Sequence, residues 1–74
     1  MGSLRILSGG EVCAILAEQG FVEVRRRGSH VVMQRRLERS TVTVPIPDHR
    51  EIKIGTLQAI IRQSGLARIL FENQ

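Results

Sequence analysis

The 74-residue sequence has no tryptophan, no tyrosine, two phenylalanines and one cysteine. With a single thiol, Cys13, no internal disulfide can form, which excludes a cross-linked secreted scaffold. Cys13 sits beside Val12 and Ala14 in an apolar helical pattern and reads as a packing residue. The only histidines, His30 and His49, offer no recognisable ligand spacing with that cysteine, so neither a metal centre nor another cofactor is expected. No glycine-rich phosphate loop is present. No stretch approaches the ~18 apolar residues of a membrane span, and no signal-like apolar block opens the chain. These absences predict a cytoplasmic protein without a membrane partner.

What is there is aliphatic and basic. Hydrophobic residues make up 42% of the chain, with almost no aromatic contribution. A chain this short buries only about 60% of its unfolded surface, so a few amphipathic elements must share one core and residues 1–74 form a single domain. The net charge is +4, and ten of the eleven basic residues are arginine. Arg25, Arg26, Arg27, Arg35, Arg36 and Arg39 fall in one central stretch whose only acid is Glu38. The planar guanidinium fork matches phosphate oxygens, so the cluster points to a polyanion or an acidic protein. A solvated arginine face is the plainer reading.

The pattern along the chain reads α-β-β-β-α. Ser8 and Glu11 have capping-box spacing; Val12, Ile15 and Leu16 then form an apolar stripe, and Gly20 stops a helix running from about Gly9 to Gln19. From Phe21 to Arg27 residues alternate, with Val22 and Val24 assigned inward and Glu23 and Arg25 outward. Gly28-Ser29 makes a tight turn into a second strand, His30 to Arg35, antiparallel to the first. Thr41 to Val44 forms a third strand, which Pro45 is expected to end. After a linker from Ile46 to Gly55, Thr56 caps a second helix carrying Leu57, Ile60 and Ile61, and Gly65 closes it. The tail from Ala67 to Glu72 looks like one more helical turn. This is an α+β arrangement, a three-stranded antiparallel sheet with both helices on one face. Alternation then puts Glu23, Arg25, Arg27, His30, Gln34, Thr41 and Thr43 on the open face, with Val32 as the odd residue among them.

A Ser-His-Asp system from Ser29, His30 and Asp48 is disfavoured, because neighbouring side chains on a turn and strand diverge. Metal-free phosphoryl chemistry on RNA fits better. A ribose 2′-hydroxyl attacks its own phosphate when a base takes its proton; histidine titrates in the right range, and guanidinium groups stabilise the developing charge. On residues alone, His30 as a catalytic group and His30 as an exposed RNA contact both stand.

The segments "LSGGEVCAILAEQGF", "RRRGSHVVMQR" and "TVTVPIPDHREIKIGTLQAIIRQSGL" resemble the HicA, or YcfA-like, toxins of bacterial type II toxin–antitoxin systems. Gly28-Ser29-His30 after a basic strand and Gly55-Thr56-Leu57 opening the last helix are the most diagnostic pieces. The resemblance implies a double-stranded-RNA-binding-domain-like fold and an mRNA interferase, a ribosome-independent RNA endonuclease that halts translation without a metal. It implies that His30 is catalytic. It also implies a HicB-type antitoxin that covers the active face and supplies any DNA contact, none being expected from this chain itself. Relatives commonly place a histidine just after the proline ending the third strand. Here "VPIPDHREIK" has two prolines; His49 is the equivalent, read as loop structure or RNA contact. Relatives also often carry an aromatic residue after the motif histidine. Here Val31 and Val32 follow, so the open face is expected to read backbone shape and charge.

On this reading His30 is the general acid or base, and Arg25 and Arg27, with Lys53 and His49, contact the RNA. Gly28 permits the turn, and Ser29 bonds a phosphate or orients the imidazole. The alternatives are a non-catalytic RNA-binding module on the same face, and an interaction domain whose arginines meet an acidic protein.

Overall fold

The structure is a computed structural model that describes Gly2 to Asn73; Met1 and Gln74, the ends of the expected 1–74 domain, lie outside the described residues. The elements run α1 (Gly9–Glu18), β1 (Val22–Arg27), β2 (His30–Arg36), β3 (Thr41–Pro47), α2 (Ile54–Ser64) and a final 3₁₀ turn (Arg68–Phe71). The sheet is antiparallel with strand order β1-β2-β3.

Helix α1 starts where the sequence places it. The Ser8 side chain accepts from the Glu11 N–H at 3.1 Å, and the Glu11 carboxylate accepts from the Ser8 N–H at 2.8 Å. The Glu11 carboxyl is held below the ordinary glutamate value first by the bond from the Ser8 backbone N–H and then by the Ser8 hydroxyl. Leu7 and Val12, on either side of the box, are both buried in the core, the positions of a hydrophobic staple.

Val12 and Leu16 of α1 and Leu57 and Ile60 of α2 share one core with Val31 and Met33 of β2 and Val44 and Ile46 of β3. Both helices therefore cover the same face of the sheet. Phe21 and Phe71, the only aromatic residues, are buried in this core, where each contributes roughly 1.5–3 kcal/mol by leaving water.

Three expectations need correction. First, β1 does not alternate as read. A bulge between Glu23 and Arg25 inserts Val24, so Glu23 stands opposite Met33 on the helix side while Arg25 stands opposite Val32 on the open side. Val22 is 61% exposed rather than buried, and Glu23 leaves the open face. Second, β3 continues through Pro45 to Pro47, pairing Pro45 with Val32 and Pro47 with His30. β3 lies at the sheet's edge, where the missing proline N–H groups remove no ladder bond. Third, α2 begins at Ile54 with Lys53 as N-cap, and Thr56 lies inside the helix. Ile52 fixes that entry: its side chain is buried, and its N–H donates to the Leu7 carbonyl at 2.7 Å. Gly65 closes α2 in the left-handed region, φ 72°, as a C-cap glycine should.

The chain termini form one feature the pattern did not predict. Leu4 bridges Glu72, the Arg5 N–H donates to the Phe71 carbonyl at 2.8 Å, and the Asn73 N–H donates to the Ser3 carbonyl at 2.9 Å. This zipper holds Phe71 in the core.

Candidate functional site

The open face is a grid set by the strand register. One row is Arg27–His30–Pro47, the next Arg25–Val32–Pro45, then Val22–Gln34–Thr43, and last Arg36–Thr41. His30 is the first residue of β2 and is exposed. It owes this place to the Gly28-Ser29 turn, where Gly28 adopts φ 58° with no neighbour within 4 Å of a would-be Cβ. Arg25 and Arg27 share the open face with His30 through their pairing with β2, and the bulge at Val24 puts Val22 rather than Glu23 on that face with them.

Arg25, Arg27, His30, Val32, Thr43 and Pro45 line one hollow of about 390 Å³. His49 and Lys53 are not in it. They line a second hollow of about 240 Å³ with Pro47, Ile52 and Thr56, at the entry to α2. Pro47 pairs with His30 and so joins the two hollows. The structure thus brings together His30, Arg25 and Arg27, and sets His49 and Lys53 next door.

Ser29 takes part through its backbone. Its carbonyl accepts from the Asp48 N–H at 2.7 Å, tying the His30 turn to the loop that carries His49. Asp48 also accepts from Arg26 at 2.8 Å, and the His49 carbonyl accepts from the Gly9 N–H at 2.8 Å. Turn, loop and the start of α1 therefore form one hydrogen-bonded unit. The Arg26 guanidinium is held above its ordinary value first by the hydrogen bond it donates to Asp48 and then by that carboxylate's charge.

The six central arginines do not act as one patch. Arg26 lies on the helix side with Asp48. Arg35 donates to the Gln19 carbonyl at 3.1 Å, at the end of α1, with its guanidinium 5.2 Å from the centre of the Phe21 ring. That is a structural role, capping a helix and covering an aromatic ring. Arg25, Arg27 and Arg36 remain on the open face. Cys13 is half-buried, and desolvation, aided by Glu23 and Asp48, pushes its thiol up.

Sequence reasoning missed Val32, Thr43 and Pro45 as site residues. Alternation had placed Val32 and Thr43 on the open face, but Pro45 was read as the end of a strand. A further hollow of about 360 Å³ is lined by Gln58, Ile61, Arg62 and Arg68. Arg68 is tied there to Glu72 at 2.7 Å, and no acid–base group of neutral range is present. Among the described residues, no three His, Cys, Asp or Glu side chains come together as a possible metal site, and no helix is long and apolar enough to cross a membrane.

No curated protein and no solved structure matches the chain. A family model does: the HicA toxin of bacterial toxin–antitoxin systems, over residues 9–66. The match starts at the first residue of α1 and ends just past the Gly65 cap, spanning the sheet, both hollows and the loop that joins them. With most of its length and its whole α-β-β-β-α unit inside that match, the chain belongs to the HicA toxin family of bacterial toxin–antitoxin systems.

Proposed function

We propose that this toxin is a metal-independent mRNA endonuclease, acting in the cytoplasm to halt translation and neutralised by a HicB-type antitoxin that covers the open face. The observation that carries the reading is the exposed His30 at the start of β2, on the same face as Arg25 and Arg27 and in one hollow with them. His30 takes the proton of a ribose 2′-hydroxyl. The 2′-oxygen–phosphorus bond then forms, the bond to the 5′-oxygen breaks, and the leaving oxygen takes its proton from solvent. Arg25 and Arg27 neutralise the charge that grows on the phosphate. Lys53 and His49 hold the neighbouring phosphate across Pro47. Gly28 and Ser29 fix the turn that presents the imidazole.

The test is incubation of the 74-residue chain with a structured mRNA in EDTA, beside His30→Ala. Cleavage by the first alone, leaving 2′,3′-cyclic phosphate ends, is the expected result. His30 is exposed, so the variant should keep its circular dichroism spectrum and lie within about 0.5 kcal/mol in stability. Cleavage by both chains overturns the assignment to His30, and cleavage by neither overturns the enzyme.

A second reading, a non-catalytic RNA-binding module, draws on one observation. His49 lines a different hollow from His30, so no second histidine shares the proposed reaction centre. It predicts salt-dependent binding without cleavage, weakened only modestly by His30→Ala.

A further inference from the structure

Val32 is the odd residue of the open face. It stands between Arg25 and Pro45 in the grid, on the side away from both helices, yet it is only 6% exposed. It does not belong to the core cluster that its neighbours Val31 and Met33 join. The side chain is instead the floor of the hollow beside His30, with Pro45 as a second apolar surface. A face that held only a phosphate backbone would need charge there. It has no need of a sunken aliphatic floor.

Apart from His30, the polar groups around that floor can all donate. Arg25 and Arg27 have only donors. The Thr43 hydroxyl oxygen already accepts from the Gln34 amide at 3.1 Å, which leaves its O–H to donate into the hollow it lines. The volume, about 390 Å³, is near the small end of the ~300–1,000 Å³ usual for small-ligand sites. An apolar floor, a donor rim and one histidine at the end describe a seat for a flat heterocycle with acceptors on its edge.

We infer that the hollow between His30 and Thr43 receives one unpaired nucleobase, the base of the nucleotide whose 2′-hydroxyl faces His30, and favours bases whose edge presents carbonyl oxygens. The inference rests on the RNA reading above and narrows its substrate class: the target nucleotide must be single-stranded or splayed out of a helix, because a paired base cannot enter. Uracil, with its O4 acceptor, suits the donor rim. Cytosine sets an amino donor against it at the same place. The aliphatic floor replaces the aromatic platform that many RNA-binding surfaces use. Base identity is thus read here by hydrogen-bond complementarity, which a charge-only face would not provide.

The test uses the full chain labelled for NMR and three 2′-O-methyl pentanucleotides of equal charge: all-uridine, all-cytidine and abasic. The blocked hydroxyl prevents cleavage, so binding is read alone. The Val32 methyl and Thr43 amide signals should move with uridine, with affinity on the order of tenfold above cytidine, in the range one well-made base contact discriminates. Neither signal should move with the abasic chain. Thr43→Val should erase the uridine preference while leaving the fold intact. Val32→Glu, outside the core cluster, should abolish the shifts at Thr43. Equal shifts with the abasic chain would mean that the hollow takes phosphate and would overturn the inference. No shift with any pentanucleotide, or a Val32 signal answering only to an antitoxin protein, would overturn it too. If the Val32 shifts appear but unblocked RNA is not cut, the base seat stands and the endonuclease falls. If RNA is cut equally at an abasic nucleotide, the reverse holds.

Discussion

Two glycines at helix starts should answer the same methyl group in opposite ways. A Cβ on Gly9 would lie 2.2 Å from the Pro47 carbonyl oxygen and 3.0 Å from the Asp48 Cα. Both are backbone atoms, with no flexible side-chain end to yield. A Cβ on Gly55, in the first turn of α2, meets nothing within 4 Å, and its φ is not positive. Gly9→Ala must push the Pro47–Asp48 segment away from α1, at a cost of about 1–3 kcal/mol, as overpacking does. Gly55→Ala should stabilise by up to about 1 kcal/mol through helix propensity and a stiffer unfolded chain. The check is the denaturant midpoint of each variant, with the slope unchanged. The Gly9 effect should also reach function. The displaced segment includes Asp48, whose N–H holds the Ser29 carbonyl beside His30, so RNA cleavage should fall in Gly9→Ala and persist in Gly55→Ala. Comparable stability in Gly9→Ala and the parent chain would show that the close approach is not constraining.

At the level of elements, the bulge in β1 resets the face of Val22 and Glu23 relative to Arg25 and Arg27, and its removal makes a sharp prediction. Glu23 already pairs with Met33 and Arg25 with Val32, consecutive positions on β2, so Val24 is the one residue outside the ladder. Deleting Val24 should yield a regular strand with the same pairs, leaving Arg25 and Arg27 opposite Val32 and His30. RNA cleavage should survive. Deleting Arg26 instead removes a paired residue and the partner of Asp48, and should reduce both melting temperature and cleavage. Loss of cleavage in the Val24 deletion with the fold retained would mean that the twist of the bulge, rather than the register, positions the arginines. The same bulge marks the limit of what the sequence discloses. β2 and β3 could be read by alternation because Val31 and Met33, or Val42 and Val44, face a real core. In β1 all six residues are exposed, so Val22 and Val24 carried a strand-like pattern that no burial enforces. Pro45 and Pro47 misled for a related reason: proline stops an inner strand, but β3 is an edge. The cap at Ser8 and the stop at Gly65 were legible because each depends on neighbouring residues alone. His30, Arg25 and Arg27 could be placed on one face, whereas the hollow between them could not, since it needs Thr43 and Pro45 from a strand distant in sequence.

For the whole molecule, the net charge of +4 says less than how the arginines are divided. Arg26, Arg35 and Arg68 are engaged with Asp48, the end of α1 and Glu72 respectively. Arg25, Arg27 and Lys53 line the two hollows joined at Pro47. If an RNA strand lies along both, it meets three basic side chains, and each contact with a phosphate releases counterions. For a single strand the logarithm of the binding constant then falls with the logarithm of salt concentration at a slope of roughly −0.7 per phosphate, hence about −2 for three. Arg25→Ala or Lys53→Ala should bring the slope to about −1.4, weakening binding more at low salt than at high. Arg35→Ala removes an equal charge but should leave the slope near −2. Its effect should instead be a lower melting temperature, because the Gln19 carbonyl and the Phe21 ring lose their cover. The measurement is a potassium chloride titration of a non-cleavable single strand against the four chains. A common loss of slope in all three variants would mean that the protein attracts RNA by net charge, without a defined track. Separation of Arg35 from Arg25 and Lys53 would assign the track to the open face and the entry of α2, running past His30.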